Sequence, residues 1–343
     1  MVDVAILGAA GYAGAELTRL VLGHPRMRLV AVTSSQDAGR KVSDVYPALA
    51  GCELTYVAHE AAEFASAQLA FLTVPHTAAM AVAPGLLDAG VTVVDASADF
   101  RLKDAAAYEE WYGVPHTAAH LLADAVYGLP ELGGRDALAG ARLVACPGCY
   151  PTAALLAIAP ALAAGIASPD GIVIDAKSGV SGAGRTPSTT THFVSANEAL
   201  NPYKVAEHRH TPEIEQELAR VAGAPVTVTF VPHLVPMTRG MLVTAYLRAG
   251  VGAHGAAQVY ADAYAGEPFV TVHPDGRMPS TAEVRGSNRA HLGVKLDERS
   301  GVLVVACAID NLVKGTSGQA VQCANLALGM DETAGLDHSV PVV

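Results

Sequence analysis

The feature that most constrains the fold is a predicted strand, glycine-rich turn and helix at the amino terminus. Val2 to Leu7 is a β-branched apolar run typical of a strand, and Ala15 to Leu22 has a helical pattern. Such a turn brings bare backbone amides and a helix N-terminus up to a pyrophosphate. Taken alone, its GxxGxxG spacing is equally consistent with dinucleotide binding and with a turn that only allows tight packing. The candidate dinucleotide-binding residues here are Gly8, Gly11, Tyr12, Ala13 and Gly14.

Further apolar runs strengthen this interpretation. A helical segment, Ala78 to Leu87, can serve as a crossover between two of them. Together they predict an α/β, Rossmann-type, doubly wound parallel sheet. The additional predicted strands are Leu29 to Thr33, Leu69 to Val74, Val91 to Ala96 and Leu143 to Ala145.

The end of the second strand bears on the choice of cofactor. An acidic residue there grips the ribose hydroxyls of NAD and repels a 2′-phosphate. Here Ser34 and Ser35 occupy that place, with Arg40 shortly after, and these groups can hold a phosphate. NADP is therefore favoured, although Asp37 is close enough to leave NAD open, and the segment can also be a solvated loop.

Length and charge limit the function classes. At 343 residues the chain is long enough for two domains. A net charge of −11 argues against a nucleic-acid or anionic-membrane partner. The apolar stretch from Ala153 to Ala167 is interrupted by Pro160 and is shorter than the roughly 18–20 residues of a membrane span. No signal or transit peptide is visible, so a cytoplasmic location is expected.

Cys149 is the candidate nucleophile. It lies in Cys146-Pro-Gly-Cys149, between the predicted strand ending at Ala145 and a helical run from Ala153 to Leu162. A helix N-terminus favours the thiolate, so we expect a lowered pKa. Cys146 and Cys149 have no second pair to complete a zinc site, and no metal is indicated. A dithiol redox pair stays open, because CxxC at a helix start is also typical of thiol-disulfide oxidoreductases.

Two histidines, His208 and His210, precede a predicted amphipathic helix that Thr211 would cap, with Pro212 in its first turn. The helix dipole disfavours the charged imidazole there and keeps a neutral ring available for acid-base chemistry. Glu213 can orient one ring or act as an ordinary first-turn acid.

The sequence resembles the N-acetyl-gamma-glutamyl-phosphate reductase family of arginine biosynthesis along nearly its whole length. The motifs that carry the resemblance are Gly8–Gly14 with Glu16-Leu17, Ala98-Asp-Phe-Arg-Leu102, Pro147-Gly-Cys-Tyr-Pro-Thr152, Lys177-Ser-Gly-Val-Ser-Gly-Ala-Gly-Arg185, His208-Arg-His-Thr-Pro-Glu213 and Asp310-Asn-Leu-Val-Lys-Gly315. Asparagine is usual in this family where Cys146 stands. A reversible Cys146–Cys149 disulfide is therefore one hypothesis, and a tolerated substitution of asparagine by Cys146 is the simpler explanation.

The resemblance implies a fold like glyceraldehyde-3-phosphate dehydrogenase. A dinucleotide-binding domain, 1–148, would be completed by a C-terminal helix within about 315–343. The α+β domain, 149–314, would carry the substrate site and the oligomer interface. Its predicted strands include Val226 to Phe230, Leu242 to Leu247 and Val302 to Ile309, and Ala320 to Leu328 would be the closing helix.

The resemblance also implies the reaction. Cys149 would attack an acyl phosphate, hydride from NADPH would reduce the thioester to a semialdehyde, and His208 or His210 would transfer the proton, with His208 preferred. The protein would be a homodimer or homotetramer. Further cofactor contacts are expected at Pro75, His76, Ser178, Gly179, Asn311 and Gly315. Substrate contacts are expected at Arg101, Lys177, Arg185, Glu213 and Arg239, although each cation can equally form a structural ion pair.

Two alternatives stay open at this point. A related reductase could act on aspartyl phosphate or on a carrier-bound aminoadipyl phosphate with scarcely changed motifs. A nucleotide-binding protein could instead use the Cys146–Cys149 pair for disulfide exchange, in which case both cysteines would be equally necessary.

Overall fold

The computed structural model describes residues 1–59 and 66–336. The chain divides into two compact units. Unit 1 comprises Met1–Gly148 and the segment that begins at Thr316, and unit 2 comprises Cys149–Gly315.

The strands in the described residues, in chain order, are β1 (Val2–Leu7), β2 (Met27–Val32), β3 (Leu69–Leu72), β4 (Thr92–Asp95), β5 (Val126–Tyr127), β6 (Leu143–Ala145), β7 (Ile172–Gly179), β8 (Asn201–Pro202), β9 (Val228–Val235), β10 (Met241–Arg248), β11 (Val270–Val272), β12 (Ala290–Asp297) and β13 (Val302–Ile309). The α-helices are α1 (Tyr12–Leu22), α2 (Val42–Val45), α3 (Ala79–Asp88), α4 (Ala105–Tyr112), α5 (Arg135–Leu138), α6 (Cys149–Ala163), α7 (Phe193–Ala196), α8 (Thr211–Ala222), α9 (Ala256–Ala263) and α10 (Gly318–Ala327).

Unit 1 is built on a parallel sheet whose described strands run in the order β2-β1-β3-β4-β6-β5. The chain moves from β1 outward to β2 and then crosses back to β3 on the other side of β1. The carboxyl ends of β1 and β3 therefore flank the point where the strand order reverses, which is where ligands of such sheets bind. The turn after β1 and the loop after β3 meet there.

Unit 1 agrees with the doubly wound sheet predicted from the sequence. β1 and β6 have the predicted bounds, whereas β3 and β4 are shorter than predicted at their ends. The short β5 was not predicted, so Leu143–Ala145 is the sixth strand, not the fifth. Helix α1 begins at Tyr12, three residues before the predicted start, because Gly14 is tolerated in a first turn that packs on Ala9.

Unit 2 is built on a mixed sheet, with the order β11-β12-β13-β10-β7-β9-β8 among the described residues. β10 is antiparallel to both β7 and β13, and Met241 at its start pairs with Ser178 and with Ile309. The ends of β7 and β13 therefore lie beside the start of β10. This register brings together three segments that are far apart in the sequence.

Helix α6 fills the core of unit 2 and is buried from Tyr150 to Leu162. Pro160 lies inside it and has no N–H to donate to the carbonyl of Leu156 one turn earlier. The hydroxyl of Tyr264 donates to that carbonyl at 2.6 Å, and the hydroxyl of Tyr260 donates to the carbonyl of Ala157 at 2.5 Å. Tyr264 thus supplies the donor that Pro160 lacks, and Tyr260 adds a donor to the next carbonyl.

The helical run predicted from Ala153 is confirmed, and this helix is buried. Among the described helices, none has the length and apolar character needed to cross a membrane.

Candidate active site

The turn after β1 has the geometry of a pyrophosphate-binding loop. Gly8 has φ +83°, and a Cβ there would lie 2.6 Å from the carbonyl oxygen of Thr73, so β1 and the loop after β3 approach too closely for a side chain. A Cβ on Gly14 would lie 2.5 Å from the carbonyl oxygen of Gly8. Gly11 differs, because the nearest atom to its Cβ position is 3.6 Å away. Gly8 and Gly14 thus permit tight packing, while Gly11 leaves room for a ligand at the start of α1.

The first turn of α1 adds donors to that opening. Gly11 is the N-cap residue, with extended backbone, and among the described residues no side chain forms the usual cap bond. The first-turn amides, from Tyr12 onward, lack acceptors within the helix. The side chain of Tyr12 is exposed beside them. A pyrophosphate at this position would receive these amides and the positive end of the helix dipole, so the residues present fit a dinucleotide.

The loop after β2 holds the acid that the sequence left in doubt. Asp37 is buried, its amide donates to Ser34 Oγ at 3.1 Å, and its carboxylate accepts from Arg40 Nη1 at 2.8 Å. Ser35 and Arg40 are exposed. The Asp37 charge is thus matched by an exposed arginine, whose Nη2 also donates to the carbonyl of Asp44 at 3.5 Å.

The loop after β3 contains strained backbone. Pro75, His76 and Thr77 are exposed, and Thr77 has φ +75°, which is unfavourable for a β-branched residue. The carboxylate of Asp99 holds this conformation, because it accepts from the Thr77 amide at 2.8 Å and from the Met80 amide at 3.0 Å. The buried hydroxyl of Tyr108 also donates to Asp99, at 2.8 Å. The Ala98–Leu102 motif therefore fixes the loop at the switch point and caps α3.

Arg101, expected to contact substrate, lies almost fully buried in unit 1. Its Nε donates to the carbonyl of Cys146 at 2.7 Å and its Nη2 to the carbonyl of Ala96 at 3.0 Å. These bonds favour a positioning role, in which Arg101 fixes the backbone just before Cys149.

Cys149 is the first residue of α6 and is partly exposed. Sequence reasoning placed it before the helix, whereas the helix includes it, so its side chain stands at the helix N-terminus itself. Gly315 packs against it, since a Cβ on Gly315 would be 2.8 Å from the Cβ of Cys149. Gly315 belongs to a π-helical turn, Val313–Ser317, of a kind frequently found at functional sites.

Cys146 has the opposite environment. It is fully buried in unit 1 as a free thiol that is hydrogen-bonded to the free thiol of Cys323, and this hydrogen bond and burial raise its pKa well above the usual value. A buried thiol with a raised pKa is a poor redox nucleophile. This observation argues against the disulfide-exchange hypothesis. The thiol that contacts Cys146 is Cys323, whereas the disulfide hypothesis pairs Cys146 with Cys149.

His208 and His210 lie in an aromatic cluster of unit 2. The ring of His208 is 4.7 Å from that of His210 and 5.6 Å from that of Tyr150, measured between centroids. Tyr203 and Phe230 contact His208 edge-on at 5.6 and 5.4 Å. Helix α8 begins at Thr211 with His210 in the cap position, so the prediction that Thr211 caps it was wrong by one residue. Both rings nevertheless lie at the helix start, as predicted.

A hydrogen bond from the backbone indicates the tautomer of a neutral His208 ring. Its Nδ1 accepts from the backbone N–H of His210 at 3.1 Å. A neutral ring that accepts at Nδ1 carries its proton on Nε2. His208 therefore presents an N–H donor at its other end.

Two tyrosines connect this cluster with the cysteine. The hydroxyl of Tyr203 donates to that of Tyr150 at 3.1 Å. Burial raises the pKa of Tyr203 to about 12, and the nearby Cys149 adds to that shift. Burial, followed by the charge of Tyr203, also raises the pKa of Tyr150, so both hydroxyls are protonated donors at neutral pH.

The expected substrate cations of unit 2 form ion pairs. Lys177 Nζ lies 2.5 Å from Asp175 Oδ2, and Arg239 Nε lies 3.1 Å from the fully buried Asp310 Oδ2. The side chains of both Lys177 and Arg239 stay about a quarter exposed, at 27% and 24%. Each can keep its partner and still offer donors to an anion. Arg185 is half-buried.

Glu213 and the remaining cofactor candidates of unit 2 are buried. Glu213 is 1% exposed in the first turn of α8. Asn311 accepts from the Gly240 amide at 2.8 Å and donates to Ser181 Oγ at 3.0 Å. Ser178 donates to the carbonyl of Gly179, and a Cβ on Gly179 would lie 2.9 Å from the carbonyl oxygen of Met237. These contacts hold the β7 end, the β10 start and the segment after β13 in one arrangement.

Comparison with known proteins agrees with this arrangement. Residues 3–141 match the family model described as semialdehyde dehydrogenase, NAD binding domain, and residues 149–311 match semialdehyde dehydrogenase, dimerisation domain. The N-acetyl-gamma-glutamyl-phosphate reductase of Desulforudis audaxviator is 52% identical over 343 residues, 98% of each chain. That of Moorella thermoacetica is 49% identical over 344 residues, again 98% of each chain. The chain belongs to the N-acetyl-gamma-glutamyl-phosphate reductase family.

The resemblance inferred from the motifs is thereby confirmed. As a member of the N-acetyl-gamma-glutamyl-phosphate reductase family, the chain is an oxidoreductase with a nicotinamide-cofactor domain. The solved aspartate semialdehyde dehydrogenase II of Vibrio cholerae is similar in fold, with a TM-score of 0.73 and 19% identity over 96% of this chain and 98% of that one. The NADP complex of the Candida albicans aspartate semialdehyde dehydrogenase has a TM-score of 0.66 and 15% identity, covering 95% and 98%. These likenesses support the predicted fold class.

Sequence reasoning did not identify several residues that shape the site. Asp99 lay inside a quoted motif, but its link to Thr77 depends on the crossover geometry. Tyr150 stood beside the nucleophile in the sequence, whereas its contact with Tyr203 needs the fold. The ion pairs of Lys177 and Arg239 could be suspected only as a general alternative.

Proposed function

We propose that this protein reduces N-acetyl-L-glutamyl 5-phosphate to N-acetyl-L-glutamate 5-semialdehyde and phosphate, with NADPH as reductant. The observation that best supports this proposal is the position of Cys149 at the N-terminus of α6, in a chain about half identical to N-acetyl-gamma-glutamyl-phosphate reductases. The sheet of unit 1, with open space at Gly11, supports binding of the dinucleotide.

The first step is acyl transfer. The Cys149 thiolate attacks the carbonyl carbon of the acyl phosphate, a C–S bond forms, and the C–O bond to phosphate breaks. Amides in the first turn of α6 can stabilise the developing oxyanion, and the helix dipole favours the thiolate. The product of this step is an acyl thioester on Cys149 and free phosphate.

The second step is reduction. A bound nicotinamide cofactor would supply the hydride that reduces the thioester carbon. His208, through its Nε2–H, would donate a proton to the oxyanion, and would take that proton back as the hemithioacetal collapses to the aldehyde and the Cys149 thiolate. The cations proposed to bind the carboxylate and phosphate of the substrate are Lys177, Arg185 and Arg239. Glu213 is proposed to help orient the substrate. The rings of Tyr150 and Tyr203 pack edge-on against His208 and help to hold it in place.

NADP is the proposed form of the cofactor. Arg40 is exposed, and its ion pair with Asp37 compensates the carboxylate charge. The guanidinium can therefore bind a 2′-phosphate together with Ser34 and Ser35. The backbone of Gly8–Gly14 would hold the pyrophosphate. Pro75, His76, Ser178, Gly179, Asn311 and Gly315 are proposed to contact or shape the rest of the cofactor site.

The two compact units are proposed to have different roles. The parallel-sheet unit would bind the cofactor, and the mixed-sheet unit would carry the nucleophile and the oligomer interface. We propose a homodimer or homotetramer acting in the cytoplasm on a small acyl phosphate. Light scattering coupled to gel filtration tests the oligomer.

The substrate is tested by running the reaction backward. Purified protein is given phosphate, NADP and either N-acetylglutamate 5-semialdehyde or aspartate 4-semialdehyde. The proposal predicts turnover of the first and at least a hundredfold lower kcat/KM for the second. Preference for aspartate 4-semialdehyde would contradict the proposed substrate while leaving the thioester chemistry standing.

A further inference from the structure

Three potential metal ligands that the proposed reaction does not use converge near one edge of the unit 2 sheet. His273 Nε2 lies 2.9 Å from Glu283 Oε2, and His291 Nδ1 lies 3.1 Å from the same oxygen. The ligand atoms of His273, Glu283 and His291 all lie within 4.8 Å of one another. Two imidazole nitrogens therefore aim at one carboxylate oxygen.

The fold holds two of these ligands firmly. His273 directly follows β11, and His291 is in β12, to which β11 is hydrogen-bonded in parallel register. The amide of His273 donates to the carbonyl of Leu292 at 2.7 Å, which extends this pairing by one residue. The rings stand edge to face with centroids 5.1 Å apart. A ligand pair on adjacent strands is held in place more precisely than a pair on loops.

Glu283 comes from a short 3-10 turn, Thr281–Glu283, that faces these strands. Ser280 caps the turn by accepting from the Ala282 amide. Arg277 binds the other carboxylate oxygen, Oε1, and is 62% exposed. The side chains of His273, Glu283 and His291 are 8%, 24% and 15% exposed, so the cluster is sheltered but open to a small ion.

The distances suit a metal of modest size. A tetrahedral zinc ion with ligands at about 2.0–2.1 Å separates its ligand atoms by roughly 3.3 Å. The observed 2.9 and 3.1 Å separations need to widen by only a few tenths of an ångström, and the two histidine nitrogens, within 4.8 Å of each other, would close onto the ion by rotation of the rings. Each ring would move its proton to its other nitrogen, and water would fill the remaining coordination position. Two imidazoles and one carboxylate favour zinc, cobalt or nickel over magnesium or calcium, which prefer oxygen ligands.

We propose that His273, Glu283 and His291 form a binding site for one divalent transition-metal ion, with zinc as the best-fitting example. Without the ion, the same residues form a hydrogen-bonded triad in which two rings share one carboxylate. The ion replaces those two hydrogen bonds with coordinate bonds and leaves Arg277 on the outer oxygen.

The site lies in the segment that supports the proposed substrate cation Arg239. Thr281 packs on Gly240, since its Cβ is 3.0 Å from the position a Gly240 Cβ would take. The amide of Gly286 donates at 2.7 Å to Asp310 Oδ2, the oxygen that also pairs with Arg239. Metal at Glu283 would therefore restrain a segment that contacts Gly240, the neighbour of Arg239, and Asp310, its ion-pair partner.

Direct metal titration tests the proposal. Metal-free protein is titrated with Co²⁺, and zinc affinity is measured by competition with a chromogenic zinc chelator. We expect one ion per chain and cobalt d–d absorption without a thiolate-to-cobalt band, because the proposed ligands are two nitrogens and one oxygen. His273→Gln, Glu283→Gln and His291→Gln should each weaken zinc binding at least tenfold.

Two controls separate this site from others. His254→Gln removes an exposed histidine that lies 3.5 Å from Glu298 in the same unit, and it should leave the affinity unchanged. Cys149→Ala removes the thiolate that could itself bind zinc, and it should also leave the site intact. Circular dichroism verifies that each variant is folded, and a variant that misfolds is replaced by the corresponding alanine substitution. Binding that survives all three ligand substitutions, or that is lost in Cys149→Ala, would overturn the proposal.

Discussion

Gly315 lies so close to Cys149 that a Cβ on the glycine would stand 2.8 Å from the Cβ of the cysteine. The contacted atom is the root of the Cys149 side chain, so it cannot rotate away. The same position would also place its Cβ 3.4 Å from the carbonyl oxygen of Asp310. Glycine at 315 is thus required by the position of the proposed nucleophile.

Gly315→Ala should displace Cys149 and lower kcat by about a hundredfold, since misplacement by about 1 Å has that effect on catalysis. The matched control is Gly255→Ala, where a Cβ meets no atom of the described residues within 4 Å. Steady-state rates of the two folded variants provide the comparison. Equal kcat values would show that the contact does not position Cys149.

Arg40→Ala should raise the KM for NADP at least tenfold, because a charge-assisted hydrogen bond to the 2′-phosphate is lost. The substitution also removes the Arg40 ion pair from the Asp37 carboxylate, whose charge would then repel the phosphate, so the preference should shift toward NAD. Arg28→Ala is the control, since Arg28 is an exposed arginine of the same unit that pairs with Asp3 at 2.7 Å. An unchanged KM for NADP in Arg40→Ala would contradict the assigned phosphate contact.

His208→Asn should lower kcat by about 10²–10⁴-fold, the range for loss of a general acid. His210→Asn should have the smaller effect, because the backbone amide that orients His208 remains in that variant. Measuring both kcat values, with their pH profiles, decides between the two rings. A larger loss in His210→Asn would transfer the acid-base role to His210.

Asp95 should make the folded state sensitive to pH. Burial, and next the charge of Asp99, raise the pKa of Asp95 to about 7, whereas an unfolded aspartate titrates near 3.9. Between these values the folded chain binds more protons than the unfolded chain, so the free energy of unfolding falls as pH rises. The fall is on the order of 4 kcal/mol and is complete above the folded pKa.

Asp95→Asn should abolish this part of the pH dependence. Denaturant unfolding at pH 5 and pH 8 measures it, with Asp88→Asn as the control for an exposed carboxylate of the same unit. The wild type and Asp88→Asn should lose stability over this interval, and Asp95→Asn should lose less. The same loss in all three proteins would show that Asp95 is not protonated in the folded state.

Local patterns predicted the sheet of unit 1 because its strands are short apolar runs separated by glycine-rich turns. They also placed His208 and His210 at a helix start and Cys149 at a strand-to-helix junction. The start of α1 was missed because Gly14 obscured the helical pattern. β11 and β12 were not predicted, because their local sequence patterns do not identify them as strands without the pairing to neighbouring strands.

The unpredicted parts of the site depend on register. Asp99 reaches Thr77 only after the chain crosses the sheet, and Arg239 meets Asp310 only because β10 and β13 pair in one register. The triad of His273, Glu283 and His291 has sequence separations of ten and eight residues, which match no familiar metal motif. Parallel pairing of β11 with β12 creates the triad.

The central claim is that Cys149 carries the acyl group. Its most direct test is phosphate-dependent reduction of NADP with N-acetylglutamate 5-semialdehyde by the wild type, Cys149→Ala and Cys146→Ala, measured side by side at equal protein concentration. Activity should disappear in Cys149→Ala and persist in Cys146→Ala, because the Cys146 thiol is buried and hydrogen-bonded to that of Cys323. Equal loss in both variants would contradict the thioester account and favour disulfide exchange, and full activity in Cys149→Ala would remove the nucleophile altogether.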